Sequence, residues 1–235
     1  MLHSSPGQAA TETVLFDGSG LPDDHGWLLD SGAGHLGGTV TVIPQTGGGA
    51  ADVLEVATTG MQFHLYTYFT GYRELLLTTR VKVESGGFNF ADAGFLMSVF
   101  GARGEADRLN SFYVTPNEVG FTDGSGSVAT TSGAFHDYAV LYRAGTVSLF
   151  VDAASSESLA GTATAALTRT APFDAEGYVA FGDATNDDGV NSHYVLDDVR
   201  LVGWAPVPEA PAGWLLSAGL AVLLGAARRR FVSRA

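Results

Sequence analysis

The strongest constraint on what this chain can fold into is an alternation of apolar and polar residues that recurs between glycine clusters. Leu75, Leu77, Thr79, Val81 and Val83 alternate with Glu74, Thr78, Arg80, Lys82 and Glu84. Successive side chains of a strand point to opposite faces, so this segment reads as a strand with one apolar and one charged face. Segments 138–142 (YAVLY) and 147–151 (VSLFV) flank Ala144-Gly145, the pattern of a hairpin. Further strands are predicted over 39–43, 53–57, 61–69, 94–100, 111–115, 118–122, 178–181 and 193–202. Turn clusters separate them at 47–49, 85–87, 123–126 and 186–189. With 31 glycines among 235 residues and no G-X-Y period, collagen is excluded and many turns are expected. Segment 153–171, rich in Ala, Ser and Thr, reads as a long loop or weak strands. At 46% hydrophobic, the chain can fill a full core. The pattern predicts an all-β, antiparallel two-sheet jelly-roll sandwich over residues 11–203.

The charge is lopsided. Residues 1–227 hold eight basic residues against all 25 acidic ones, a net −17, while Arg228, Arg229, Arg230 and Arg234 lie at the end. An acidic body without a basic patch excludes nucleic acid as a partner, because phosphate contacts need clustered Lys and Arg. Cysteine is absent, which removes disulfides, thiol nucleophiles and Cys-ligated zinc.

After a linker at 204–209, residues 210–227 are 18 in number and carry no charge. As a helix they span about 27 Å, marginally enough to cross a bilayer core. Leu220, Leu224 and their apolar neighbours surround that helix without leaving a polar stripe. Trp214 stands at its outer end, and Arg228, Arg229 and Arg230 form a cytoplasmic stop, which places the body on the far side of the membrane. Residues 1–10 (MLHSSPGQAA) show neither the basic nor the apolar stretch of a signal peptide, yet Gly7-Gln8-Ala9 reads like a small-x-small cleavage site. Two readings stand: the residual leader of a longer precursor, or a flexible N-terminus.

The order Val207-Pro208-Glu209, apolar span, Arg228–Arg230 resembles the PEP-CTERM sorting signal of Gram-negative bacteria. The usual second proline after the Glu is Ala210 here, with Pro211 one step later. The resemblance implies an exosortase-type processing enzyme as partner, cleavage near the motif, transient residence in the inner membrane, and transfer to the cell surface or extracellular matrix. Within the body, Val14-Leu-Phe-Asp-Gly-Ser-Gly-Leu-Pro22, Phe135-His-Asp-Tyr138, Phe181-Gly-Asp-Ala-Thr185 and Tyr194-Val-Leu-Asp-Asp-Val-Arg-Leu201 resemble the concanavalin A/LamG-like jelly rolls of "choice-of-anchor" surface domains. This implies the fold; related jelly rolls serve as lectins, glycanases and inert surface domains.

Asp183, Asp187 and Asp188, with Asn186, fall in one glycine-bounded segment whose hard oxygens suit calcium. The same residues also suit a solvated acidic turn. Asp197 shares parity with Val195, Val199 and Leu201 and is expected to point inward, where a carboxylate needs a partner or a metal. The resemblance implies that it helps ligate a structural calcium, with Asp17 as co-ligand. His64, Tyr66 and Tyr68 alternate onto one face and are candidates for stacking on sugar rings; core packing is the other reading. Glu105-Ala-Asp107-Arg-Leu-Asn110 resembles the Glu-x-Asp-x-x-Glu strand of concanavalin-like glucanases, with Asn110 in place of the third carboxylate. Retaining hydrolysis needs two carboxylates about 5 Å apart. No HExxH, Gly-x-Ser-x-Gly or P-loop pattern occurs. The sequence is therefore read as a non-enzymatic exported surface or matrix protein. A calcium-dependent glycan-binding module with a polysaccharide partner is the alternative, and a polysaccharide-cleaving enzyme the third reading.

Overall fold

The computed structural model describes residues 10–18, 20–21, 28–30, 38–45, 52–59, 63–89, 92–101, 111–153, 161–170, 176–183 and 190–204. All of them belong to the first of two compact units, 1–205 and 206–235. The sorting motif Val207, Pro208, Glu209 and the apolar span with its arginines lie outside the described residues. Among the described residues, no helix is long and apolar enough to cross a membrane.

Every regular element described is a strand. The first six are β1 (Ala10–Phe16), β2 (Leu28–Asp30), β3 (Thr39–Ile43), β4 (Val53–Ala57), β5 (Phe63–Thr70) and β6 (Glu74–Ser85). There follow β7 (Phe88–Asn89), β8 (Asp92–Ala93), β9 (Leu96–Gly101), β10 (Ser111–Val114), β11 (Glu118–Phe121) and β12 (Ser127–Ala129). The last five are β13 (His136–Arg143), β14 (Thr146–Val151), β15 (Leu167–Thr170), β16 (Glu176–Asp183) and β17 (His193–Trp204). Sheet A runs β15-β14-β13-β6-β17-β4-β3, with β1 also on β17; sheet B runs β12-β11-β10-β9-β16-β5-β2. The chain crosses from one sheet to the other at β1–β2, β2–β3, β4–β5, β5–β6, β12–β13, β15–β16 and β16–β17, and from β6 to β9 by way of the two-stranded β7–β8. This is the two-sheet antiparallel sandwich of jelly-roll type that the alternation predicts.

The alternation in β6 works as expected. Leu75, Leu77, Val81 and Val83 enter the core between the sheets, where they meet Phe16, Leu54, Phe112, Val140, Leu149, Phe181 and Leu196. Each such side chain contributes about 1.5–3 kcal/mol by leaving water. Leu76 breaks the pattern: it faces away from the core yet is fully buried with Ala139, Leu141 and Phe150. Ala153, Ala163, Ala165, Val202 and Trp204 pack over this second cluster. Small side chains at Ala153, Ala163 and Ala165 let the chain lie close against the sheet; among the described residues of segment 153–171, 167–170 form a strand.

The hairpin β13–β14 turns at Ala144 (φ 51°) and Gly145 (φ 76°), the double positive φ of a two-residue hairpin loop that matches strand twist. At its open end, His136 Nδ1 lies 2.8 Å from Asp152 Oδ2, and its Nε2 lies 2.9 Å from the Thr131 carbonyl. Asp152 Oδ1 accepts the Asp137 N–H at 3.1 Å. Burial pulls the His136 imidazolium down, but the Thr131 carbonyl and the Asp152 carboxylate outweigh it, and the net shift is upward.

Two neighbours share one edge of β17. β4 pairs with 193–196, and β1 pairs with 199–204. A bulge between Leu196 and Asp198 falls where the neighbour changes. One extra residue there reverses the parity of everything beyond it. Tyr194 and Leu196 face the core before it, and Val199 and Leu201 after it. Asp197 is the inserted residue, so the inward orientation expected from its parity with Val199 and Leu201 is corrected: its carboxylate is about a third exposed and pairs with Arg80.

Candidate functional site

The outer face of sheet A carries an ordered lattice of charge. Register places Asp137 opposite Arg80, and Arg80 opposite Asp198. Arg80 Nη1 reaches Asp137 Oδ2 at 3.1 Å, and its Nε reaches Asp197 Oδ2 at 2.9 Å. Arg200 Nε reaches Asp198 Oδ2 at 2.8 Å, and its Nη1 reaches Glu12 Oε1 at 3.3 Å. The Phe135 ring lies 5.3 Å from the Arg80 guanidinium carbon. Burial pushes the Asp198 carboxyl up; Arg200 opposes this, and the negative charges of Asp197 and Asp17 reinforce it. Asp17 therefore does sit beside the Asp-Asp pair of the last strand. The reason is local: β1 ends with Phe16 opposite Val199, which brings the next residue level with Asp198. A cleft of about 290 Å³ opens here, lined by Thr78, Arg80, Asp137, Ala139, Asp198 and Arg200.

Two observations describe the candidate calcium residues at this place. Guanidinium groups already engage the oxygens of Asp197 and Asp198. Among the described residues, no group of three or more His, Asp or Glu side chains is placed to hold a metal ion.

Asp183 is not on a solvated loop, as expected from its glycine-bounded segment. It ends β16 and is fully buried. Its carboxylate accepts a hydrogen bond from the Thr58 hydroxyl. Thr58 Oγ1 in turn accepts the Ser192 N–H at 2.9 Å, and the Thr58 N–H donates to the Ser192 carbonyl at 2.8 Å. This polar knot joins β16 of sheet B to the ends of β4 and β17 in sheet A. Tyr194 is buried beside it with its hydroxyl unpartnered. Burial, then the charge of Asp183, pushes that phenol well above its ordinary range. Asp187 and Asp188 lie outside the described residues, as do Glu105 and Asp107.

His64, Tyr66 and Tyr68 fall on β5, at register positions opposite Gly182, Ala180 and Tyr178. On β16, Val179 and Phe181 enter the core, so Tyr178, Ala180 and Gly182 belong to the outer face of sheet B. Register continues the first row from Tyr178 to Phe100 and the second from Ala180 to Ser98 and Ser111. The Ser98 hydroxyl donates to Ser111 Oγ at 2.8 Å. At the end of this face, Phe88 stacks on Tyr113 with centroids 3.9 Å apart.

Sequence reasoning passed over Arg80, Asp137, Asp198 and Arg200 as a group. Their only signal was the charged face of β6 and the Asp-x-Arg spacing of β17, and neither reveals that the two strands are partners.

No family model matches the chain, and no curated protein matches it by sequence. Among solved structures, it is similar to peanut lectin with a 9mer peptide, at 12% identity over 86% of this chain and 100% of that chain, TM-score 0.45. It is similar to the cellulose induced protein Cip1, at 10% identity over 74% of this chain and 90% of that chain, TM-score 0.45. It is also similar to the apo Crh5 transglycosylase, at 14% identity over 86% of this chain and 85% of that chain, TM-score 0.46.

Proposed function

We propose that the chain is a non-enzymatic exported protein, displayed at the cell surface or in an extracellular matrix, whose sandwich binds polysaccharide on the outer face of sheet B. One observation carries the reading: the register that sets Tyr68, Tyr178 and Phe100 side by side on three neighbouring strands, next to a row of small residues at Ala180, Ser98 and Ser111. Neighbouring strands lie about 4.8 Å apart, so these three register positions span about two strand spacings. Ala180, Ser98 and Ser111 are themselves buried, so the reading rests on the aromatic positions. A sugar chain offers the matching surfaces, C–H faces to stack and hydroxyl edges to hydrogen-bond. The net charge of −13 favours neutral over polyanionic glycans.

Calorimetry against a panel of neutral polysaccharides tests this. Tyr178→Ala should weaken binding about tenfold or more while leaving the melting temperature nearly unchanged, since Tyr178 is half-buried and outside the core. Equal affinity in the two proteins removes sheet B as the site. Incubation with β-glucans should release no new reducing ends; their appearance, and their loss in Glu105→Gln, would make the chain an enzyme.

A further inference from the structure

The cleft on sheet A owes its existence to side-chain size. On the outer face, Ala139, Thr78 and Arg200 form a row across β13, β6 and β17 that ends at Val14 on β1. Two residues along the strands in one direction stands the charged row Asp137, Arg80, Asp198. Two residues in the other stands the apolar row Leu141, Leu76, Val202, roofed by Ala163 and Ala165. The small side chains of Ala139 and Thr78 leave a trough between a charged wall and a covered apolar wall.

We propose that this trough is a binding site for one uncharged, hydroxyl-rich ring, the size of a single glycosyl unit, on the sheet opposite the polysaccharide face and independent of it. Size sets the first limit: about 290 Å³ lies at the small end of ligand pockets, which run from roughly 300 to 1,000 Å³. The hydrogen-bonding inventory sets the second. A guanidinium only donates and a carboxylate only accepts, and here the two alternate within one wall. A hydroxyl does both, so a polyol satisfies neighbouring members of the wall, whereas a simple cation offers Arg80 and Arg200 nothing to donate to. Charge sets the third. Asp137, Asp197 and Asp198 surround only two arginines, with Glu12 on the far side of Arg200. A uronate or phosphate is repelled.

The test uses the full chain and the methyl glycosides of glucose, galactose and mannose as probes, with methyl glucuronide as the anionic control. Backbone amide shifts of Thr78 and Ala139 report occupancy. At least one neutral glycoside should shift both signals saturably, and methyl glucuronide should not. Thr78→Tyr fills the trough and should abolish the shifts. Asp198→Asn keeps the shape of the wall but removes a charged acceptor, and should weaken binding about tenfold. Tyr178→Ala should leave this site unaffected, because it lies on sheet B. Melting curves establish that each variant is folded. The proposal is overturned if no neutral glycoside moves Thr78 and Ala139, if binding persists in folded Thr78→Tyr, or if methyl glucuronide binds more tightly. Loss of all sugar binding in Tyr178→Ala alone would likewise remove the trough as a site while leaving the sheet B reading intact.

Discussion

Thr58 and Tyr194 lie in the same buried knot and make opposite predictions. Thr58 Oγ1 is a hub: it donates to the Asp183 carboxylate and accepts from Ser192 N–H. Thr58→Val keeps the shape and removes both bonds, leaving a buried carboxylate short of a donor. The expected loss is about 2–3 kcal/mol, in the range for a hydrogen bond to a charged group. The Tyr194 hydroxyl sits in the same place without a partner. Tyr194→Phe removes an unsatisfied buried polar atom and should leave stability unchanged or raise it by about 1 kcal/mol. Urea titrations of the two variants check both signs, and a loss in Tyr194→Phe comparable to that in Thr58→Val would mean that the hydroxyl is satisfied in solution. None of this was readable from the chain. Asp183 lies amid Gly182, Asn186 and Gly189, the composition of a turn, and its burial follows from contact with Thr58, 125 residues away.

For the elements, legibility depended on length and on regular alternation. β3 and β4 match their predicted bounds, because five residues dominated by β-branched and apolar side chains between glycine- or polar-rich segments leave one reading. β2, β7, β8 and β12 are two or three residues long, too short for a period to show. β17 was located correctly but misread in its second half, since a bulge adds one residue without any mark in the sequence. Leu76 was an apolar residue on the wrong side of an alternation, the one trace of the second cluster on sheet A. The hairpin β13–β14 carries the pH prediction. His136 is held by Asp152 and the Thr131 carbonyl, and its folded pKa lies above the ordinary 6.5. A raised histidine pKa means that the folded state binds the proton more tightly than the unfolded one. The clamp therefore stabilises fully below about 6.5, and its contribution is lost as pH rises through the higher folded value. The melting temperature should fall between pH 6 and pH 8.5, and His136→Asn should flatten that slope while lowering stability at pH 6. A slope equal in the two proteins would assign the pH dependence to other groups.

At the scale of the whole molecule, the prediction concerns the passage from sandwich to tail. If the C-terminal signal is processed as its resemblance to PEP-CTERM signals implies, surface-exposed protein from an exosortase-bearing host should end near Glu209 by mass spectrometry, and replacing Pro208 and Glu209 should leave the full-length form in the inner membrane. Intact sequence through Ala235 on released protein would refute that processing. The placement of the last strand then has a mechanical consequence. β17 is not an edge strand: along its 12 residues it is bonded to β6 on one side and to β4 and β1 in succession on the other. A pull applied at Trp204 along the strand axis loads both neighbours of this strand. The load is spread as shear across both flanking ladders at once, where an edge strand under the same pull would peel one bond at a time. A domain held by its tail against flow would thus take the load through one of its interior strands.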